Sequence, residues 1–327
     1  MKKFIKYVIK NYFAIPLIGL IILIFTFFSK TKLSESDLSH AYATEINSYG
    51  WVTNVDKIAG FILGSSTLRY GISANRLSKN DSVWINFSMD ARDPVVLYYL
   101  LKKYYTLKKP KIILVGLDPW IYAKKYYLYR NKIMYLDLNE YQMLNYLSTD
   151  YFVFIQKARF LLQDFFSPNK KKDEKMYNYN IPDDYGSSYI NKTPLNFDDS
   201  FSDKFEIKST GWSDLQFDYL EKINLFCVKN KIRVIYIIPP KKNKYIKVAN
   251  TLFLVQHNIW WQKICNRLEN AEVLGNYSTF KNINQDSIFA DIYHLNKNGQ
   301  VLFTKFLKDN LNKTSEISPE YSVFGND

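Results

Sequence analysis

The chain has 327 residues, 47% of them hydrophobic and 23% charged, which excludes wholesale disorder and allows one large core or two modest ones. The formal charge of +13 admits an anionic membrane face, an anionic glycan or nucleic acid as partner. The lysines, however, are scattered among Asn, Ile, Tyr and Phe, a mixture that an AT-rich coding sequence also produces, and no zinc-finger spacing or RNP-like run accompanies them. No nucleic-acid partner is expected.

The amino terminus is the most legible segment. Tyr12 to Phe28 is an uncharged run of about 17 residues, the short end of what spans a bilayer. Lys2, Lys3, Lys6 and Lys10 precede it, and Lys30 and Lys32 follow. The heavier positive flank predicts a single-pass anchor over 1–28 with a cytoplasmic amino terminus and everything after Phe28 outside. A cleaved signal peptide is the rival reading; against it, the run exceeds a typical h-region and no small-x-small site follows directly. A buried helix of the soluble domain is disfavoured by the flanking lysines and the lack of a polar face. Residues 29–54 are polar and patternless, as in a stalk.

The body, 55–312, reads as alternating strands and helices. "IAGFILG" (58–64), "VWINFSM" (83–89), "KIILVGLD" (111–118), "IRVIYIIPP" (232–240) and "EVLGNYS" (272–278) have strand character. Several are apolar on both faces, as strands of a parallel sheet are. Helices are predicted over 93–107, with Asp93 as N-cap and Pro94 in the first turn, and over 213–231, 250–270 and 296–311. The alternation implies an α/β domain, three layers deep, around a mainly parallel sheet. Residues 120–211, rich in Tyr, Asn, Lys and Asp, form an insertion or lid, with a helical patch at 151–166 and an exposed loop at 169–175. The tail from 313 is expected to be loose. Cys227 and Cys265 lack metal or redox spacing and suit buried free thiols, with a disulfide open outside the cytoplasm. No cofactor or metal is implied.

In such sheets ligands bind beyond the carboxyl ends of the strands. Two polar groups fall there. "GFILGSSTLRYG" (60–71) places Gly64, Ser65 and Ser66 at the end of the first core strand, where the bland alternative is a helix cap. "FADIYHLNKNG" (289–299) places Asp291 and His294 just ahead of the last helix. A carboxylate three residues before an imidazole can hold the ring's tautomer and leave its other nitrogen to accept a serine proton. Of the three histidines, His40 falls in the stalk and His257 sits in a helix beside Trp260 and Trp261, so His294 is the candidate base.

"FILGSSTLRYGI" resembles block I of the SGNH (GDSL-like) hydrolases, and "DIYHLNKNG", with Leu295, Asn296 and Gly299 after the histidine, resembles their block V. Together with the anchor, the chain is similar to membrane-tethered SGNH-like proteins of bacterial envelopes, such as alginate O-acetyltransferases and the D-alanyl-lipoteichoic acid transfer protein. The resemblance implies Ser66 as nucleophile, His294 as base and Asp291 as its orienting acid. It also implies oxyanion or substrate-binding positions at Ser88, standing where the family has a glycine, and at Asp118, standing where it has an asparagine, where a protonated carboxyl could donate or the group could bind substrate hydroxyls. An ionised Asp118 would repel an oxyanion, and loss of one such donor typically costs about 10²–10³ in turnover. The family's aspartate before the nucleophile is replaced by Ser65.

Two functions follow as expectations. One is a tethered serine esterase or O-acyltransferase that takes an acyl group, most simply acetyl, onto Ser66 and passes it to water or an envelope glycan, beside a membrane acyl exporter that only the resemblance suggests. The other is a non-catalytic envelope protein that uses the same cleft to bind glycan or that membrane partner.

Overall fold

The structure is a computed structural model; it describes residues 50–79, 82–89, 92–123, 179–180, 184–190, 211–268 and 271–325. The anchor and stalk up to 49, His40, the helical patch at 151–166 and the loop at 169–175 lie outside the described residues. Among the described residues no helix is long and apolar enough to cross a membrane.

Six strands form one sheet: β1 (Ile58–Leu63), β2 (Val83–Asn86), β3 (Ile112–Gly116), β6 (Arg233–Ile237), β7 (Glu272–Leu274) and β8 (Ser315–Glu316), in spatial order β2-β1-β3-β6-β7-β8. The first five are mutually parallel and β8 is antiparallel to β7. A separate antiparallel pair, β4 (Tyr179–Asn180) and β5 (Tyr189–Ile190), belongs to the middle region. Among the described residues the helices that build the domain include α1 (Ser66–Gly71), α2 (Ala74–Leu77), α3 (Pro94–Tyr105), α4 (Asp214–Lys229), α5 (Asn243–Leu252), α6 (Leu254–Arg267), α7 (Gln285–Ile288) and α8 (Lys297–Asn310).

Alternation along each strand sends side chains to opposite faces. Phe61, Leu63, Ile113, Val115, Val234, Tyr236 and Val273 pack with residues of α3, α4 and α6. Ile62, Leu114, Ile235, Ile237 and Leu274 pack with α1, α2, α7 and α8. Both faces are therefore covered, which is why the strands read as unbroken apolar runs. Cys227 and Cys265 are free thiols buried in the first of these layers, where burial pushes Cys227 up to about 12 and Cys265 up to about 11.

The register aligns the carboxyl ends of the strands. Ile62 pairs with Asn86, Leu63 with Val115, Gly116 with Ile237, and Ile237 with Leu274. Leu117 N–H donates to Ile237 O (2.8 Å) and Ile238 N–H to Leu274 O (3.1 Å), carrying the ladder one step further. Residues just beyond these points share one rim. The spatial order reverses direction between β1 and β3, and such a switch point opens a crevice at that rim.

Three expectations are corrected. The domain starts before residue 55, because 50–54 are helical and Val52 is fully buried in the core. The tail is not loose. Ser315 pairs with Val273, Ile317 and Val323 are buried, Trp261 Nε1 donates to Ser318 O (3.0 Å), and Tyr321 Oη donates to Gly275 O (2.6 Å). A short antiparallel strand there covers what would be an open parallel edge. The helix expected over 250–270 is two: α5 and α6 meet at Phe253, whose backbone (φ −127°, ψ 10°) breaks the helix while its ring is buried.

The described part of the middle region is docked on the domain. Asn75 N–H donates to Asp184 Oδ1 (2.6 Å), Ala74 N–H to Ser187 Oγ (2.9 Å), Ser188 N–H to Arg69 O (3.1 Å), and Gln300 Nε2 to Ser188 O (2.6 Å). These bonds tie 184–190 to α1, α2 and α8, so this stretch braces the helix that begins at Ser66.

Asp93 caps α3 as its sequence predicts, accepting from Val96 N–H at 3.1 Å, and also accepts from Gln216 Nε2 at 2.6 Å. Burial raises its carboxyl to about 6 in spite of these donors. A carboxyl raised in the fold binds more protons native than unfolded between about pH 4 and 6, so stability falls as pH rises through that window. Asp93→Asn is expected to remove this loss and gain up to about 3 kcal/mol above pH 6. Gln216 Oε1 has no partner among the described residues, so a flipped Gln216 can accept from the new amide. Urea unfolding at pH 4 and pH 7.5 checks it; an equal effect of the substitution at both pH values would refute the assignment.

Candidate active site

Ser66 is set in place by a close approach of helix to sheet. After Leu63 the chain turns at Gly64-Ser65 and enters α1, with Leu68 lying over both β1 and β3. A Cβ on Gly64 would come within 2.9 Å of Leu68 Cδ1, and one on Gly116 within 2.8 Å of the same atom. Glycine at both positions lets α1 sit directly over the switch point. Ser65 occupies the N-cap position, but its hydroxyl makes no cap bond and pairs instead with Thr67 Oγ1 at 3.1 Å. The cap alternative for these hydroxyls therefore does not hold. Ser66 is the first residue of the helix, where the amide has no intrahelical acceptor.

The second half of the site is a turn before α8. Phe289 and Leu295 form an antiparallel bridge, and Ala290 N–H donates to His294 O (2.8 Å), closing the loop between them. Asp291 Oδ1 accepts from Tyr293 N–H (2.7 Å) and His294 N–H (2.8 Å). The same carboxylate places Oδ2 2.7 Å from His294 Nδ1. Asn296 then caps α8, accepting from Asn298 N–H (3.0 Å) and Gly299 N–H (3.1 Å). One carboxylate thus shapes the turn and aims the ring.

These halves meet. Ser66 Oγ lies 2.9 Å from His294 Nε2, across 228 residues of chain. Burial alone would raise the Asp291 carboxyl, but attraction to His294 when its ring is protonated, together with three N–H donors, outweighs it and holds the group below its usual value. An ionised carboxylate only accepts, so Nδ1 carries the proton, and Nε2 presents its lone pair to the Ser66 hydroxyl. The His294 side chain is 20% exposed and that of Asp291 3%, so the ring faces the crevice while its partner is shielded from water. Tyr70 of α1 meets the ring edge-on, with centroids 5.7 Å apart. A hydroxyl, an imidazole and a buried carboxylate in this sequence can form and resolve a covalent acyl-serine.

The two expected oxyanion positions are arranged differently from expectation. Ser88 is at the rim, since Met89 N–H donates to Gly64 O at 3.2 Å. Its own amide, however, already donates to Asn86 Oδ1 at 2.9 Å, so it is not a free oxyanion donor here; the buried Ser88 hydroxyl has no partner among the described residues. Asp118 follows β3 at the same rim, and its carboxylate pairs with the ammonium of Lys241 (Oδ2 to Nζ 3.4 Å). It neither donates like an asparagine nor stands as an isolated negative charge.

Sequence reasoning missed Asn86 and Lys241. Asn86 Nδ2 donates to Leu68 O (3.2 Å) and Ser187 Oγ (3.1 Å) while its Oδ1 holds Ser88, so it joins α1, the middle region and the rim. Lys241 follows the two prolines that end the strand-like run 232–240, at the rim where ligands bind, and that position was the available signal. His257 is buried, with Nε2 3.0 Å from Tyr245 Oη and Nδ1 3.1 Å from Phe253 O. It packs, as expected, and burial lowers it to about 4. Among the described residues no cluster of His, Cys, Asp and Glu could hold a metal ion.

No family model and no curated protein matches the chain. Among solved structures, one named provisionally as a platelet activating factor from Streptococcus pneumonia aligns over 92% of this chain and 99% of its own, at 11% identity and a TM-score of 0.42.

Proposed function

We infer that the chain is a serine acyl esterase or O-acyltransferase of SGNH-like type. The observation that carries this reading is the continuous relay from Asp291 Oδ2 to His294 Nδ1 (2.7 Å) and from His294 Nε2 to Ser66 Oγ (2.9 Å). The relay lies at the switch point of a doubly wound, flavodoxin-like sheet, and the motifs around Ser66 and His294 are those that resemble the SGNH blocks.

In the first half-reaction Ser66 Oγ attacks an ester carbonyl as His294 Nε2 takes its proton. The tetrahedral adduct collapses, the bond to the leaving oxygen breaks, and His294 returns the proton to that oxygen. In the second half His294 deprotonates water or a sugar hydroxyl, which attacks the acyl-Ser66 carbonyl and releases the serine. The Ser66 amide, at the first turn of α1, has no intrahelical acceptor and can donate to the developing oxyanion. The amino-terminal run with its flanking lysines supports a membrane-tethered, extracytoplasmic setting and hence an envelope or exported glycan as acceptor.

A second reading, an envelope protein that binds glycan or a membrane acyl-export partner without turning over, is favoured by one pair of observations. The Ser88 amide already donates to Asn86, and the asparagine position holds Asp118. A fluorophosphonate probe separates the two. Covalent labelling mapped to Ser66 supports catalysis, and a folded protein that stays unlabelled defeats it in favour of binding.

A further inference from the structure

A fully buried charge beside the site takes no part in the relay. The Lys241 side chain is wholly shielded from water, and an ammonium there is costly unless it is well paired. Its backbone is fixed by an N–H bond to Tyr277 O (3.0 Å). Its Nζ is 3.4 Å from Asp118 Oδ2, longer than a strong charge-assisted bond, and Asp118 Oδ1 has no partner among the described residues. Two tyrosine rings also lie close to it. The ring centroids of Tyr293 and Tyr245 lie 5.4 Å and 5.6 Å from Nζ, within cation–π range.

Tyr293 is the contact of consequence. It stands immediately before His294, and its N–H is one of the donors to Asp291. The residue after Lys241 reaches the same turn, since Lys242 N–H donates to Ile292 O at 3.3 Å. Ile292 and Tyr293 are the two residues between Asp291 and His294, so the end of β6 grips the turn through both a cation and a backbone bond. A loosely paired buried ion pair is a poor stabilising device, because an apolar pair of similar volume is often as stable or more so.

We propose that Lys241, with Asp118 as its counterion, is a positioning residue that holds the Ile292–Tyr293 side of the turn and thereby sets the orientation and proton affinity of the His294 imidazole. Its catalytic consequence rests on the acyl-transfer reading above; its effect on the imidazole does not. The titratable groups packed around the turn are Tyr70 from α1, Asp118 beyond β3, Lys241 beyond β6, Tyr245 from α5, and Asp291 and Tyr293 of the turn itself. Lys242, whose N–H reaches Ile292 O, has its ammonium paired with Asp286 (2.6 Å). Burial lowers the proton affinity of Lys241, while Asp118 and then Asp291 draw it back up.

The test uses the full chain, with Lys241→Met and the double variant Asp118→Asn/Lys241→Met, which leaves no unpaired charge behind. Two quantities are read: the NMR titration of the His294 imidazole, and the pH dependence of fluorophosphonate labelling at Ser66. The double variant is expected to fold and to label about tenfold to a hundredfold more slowly, whereas Lys241→Met, which removes the cation and keeps the Asp118 carboxylate, is expected to titrate His294 about one unit higher. Unchanged labelling together with an unchanged His294 titration overturns the proposal. So does a double variant that cannot fold, since the pair is then structural. If the wild type itself does not label, the serine-enzyme reading fails instead, and the titration alone decides the role of Lys241.

Discussion

Ser66→Ala is expected to reduce turnover of a chromogenic acetyl ester by about 10⁴ or more, and to abolish fluorophosphonate labelling. The size follows from what is lost. The nucleophile goes, and with it the proton that His294 Nε2 is placed 2.9 Å away to receive. Only binding and backbone stabilisation of the transition state remain, which alone give modest acceleration over water. Stability should change by about 1 kcal/mol or less, because a single part-buried hydrogen bond is removed. Ser65→Ala is the matched control. That hydroxyl pairs with Thr67 and faces away from the imidazole partnership, so the adjacent substitution should leave most of the activity. Wild-type turnover in Ser66→Ala would end the covalent mechanism.

Asp291→Asn is the second large effect, expected near 10⁴ in kcat with little change in KM. The carboxylate accepts from His294 Nδ1 with one oxygen and from two backbone N–H groups with the other. The amide can satisfy only part of this. If its oxygen keeps the two backbone bonds, its NH2 faces Nδ1 and forces the ring proton onto Nε2, where it blocks acceptance from Ser66. If its oxygen faces Nδ1, the NH2 opposes the N–H groups of Tyr293 and His294 and the turn opens. Either way the relay fails, by tautomer or by geometry. In the wild type, Asp291 is held below its usual value, so the carboxylate stays ionised and keeps orienting the ring as the pH falls below neutral. A kcat for Asp291→Asn within tenfold of wild type, measured at the pH optimum, would show that Asp291 does not orient the ring.

The elements with strong local patterns were the ones readable from residues alone. The five parallel strands are short apolar runs whose ends are marked by glycine, proline or a polar cluster, and each begins within one residue of its expected start, while β2, β6 and β7 end three or four residues earlier than expected. The Asp93 cap and Pro94 at the start of α3 depend on neighbours within one turn, so they too were legible. The break between α5 and α6 was not. The apolar periodicity continues through Phe253, and the ring is buried only because tertiary packing bends the chain there. The tail was misjudged for a related reason. A two-residue strand carries almost no pattern of its own, and β8 exists because β7 offers it an edge. Lys241 was hidden among 44 Lys and Arg residues; its place after Pro239 and Pro240 marks it as a rim residue, but nothing local distinguishes a caged ammonium from a solvated one.

For the site, the residue types, their order and their placement at strand ends were contained in the sequence. Gly64-Ser65-Ser66 closes the first strand, and Asp291 and His294 share one turn, because both arrangements are set by bonds between residues a few positions apart. Tertiary structure decided which of two adjacent serines faces the imidazole, that the Ser88 amide serves Asn86, and that the Asp118 charge is balanced from the end of β6. Those outcomes depend on how far separate strands reach along a common rim and on which charges are shut away from water together. Neither quantity is carried by any local run of residues.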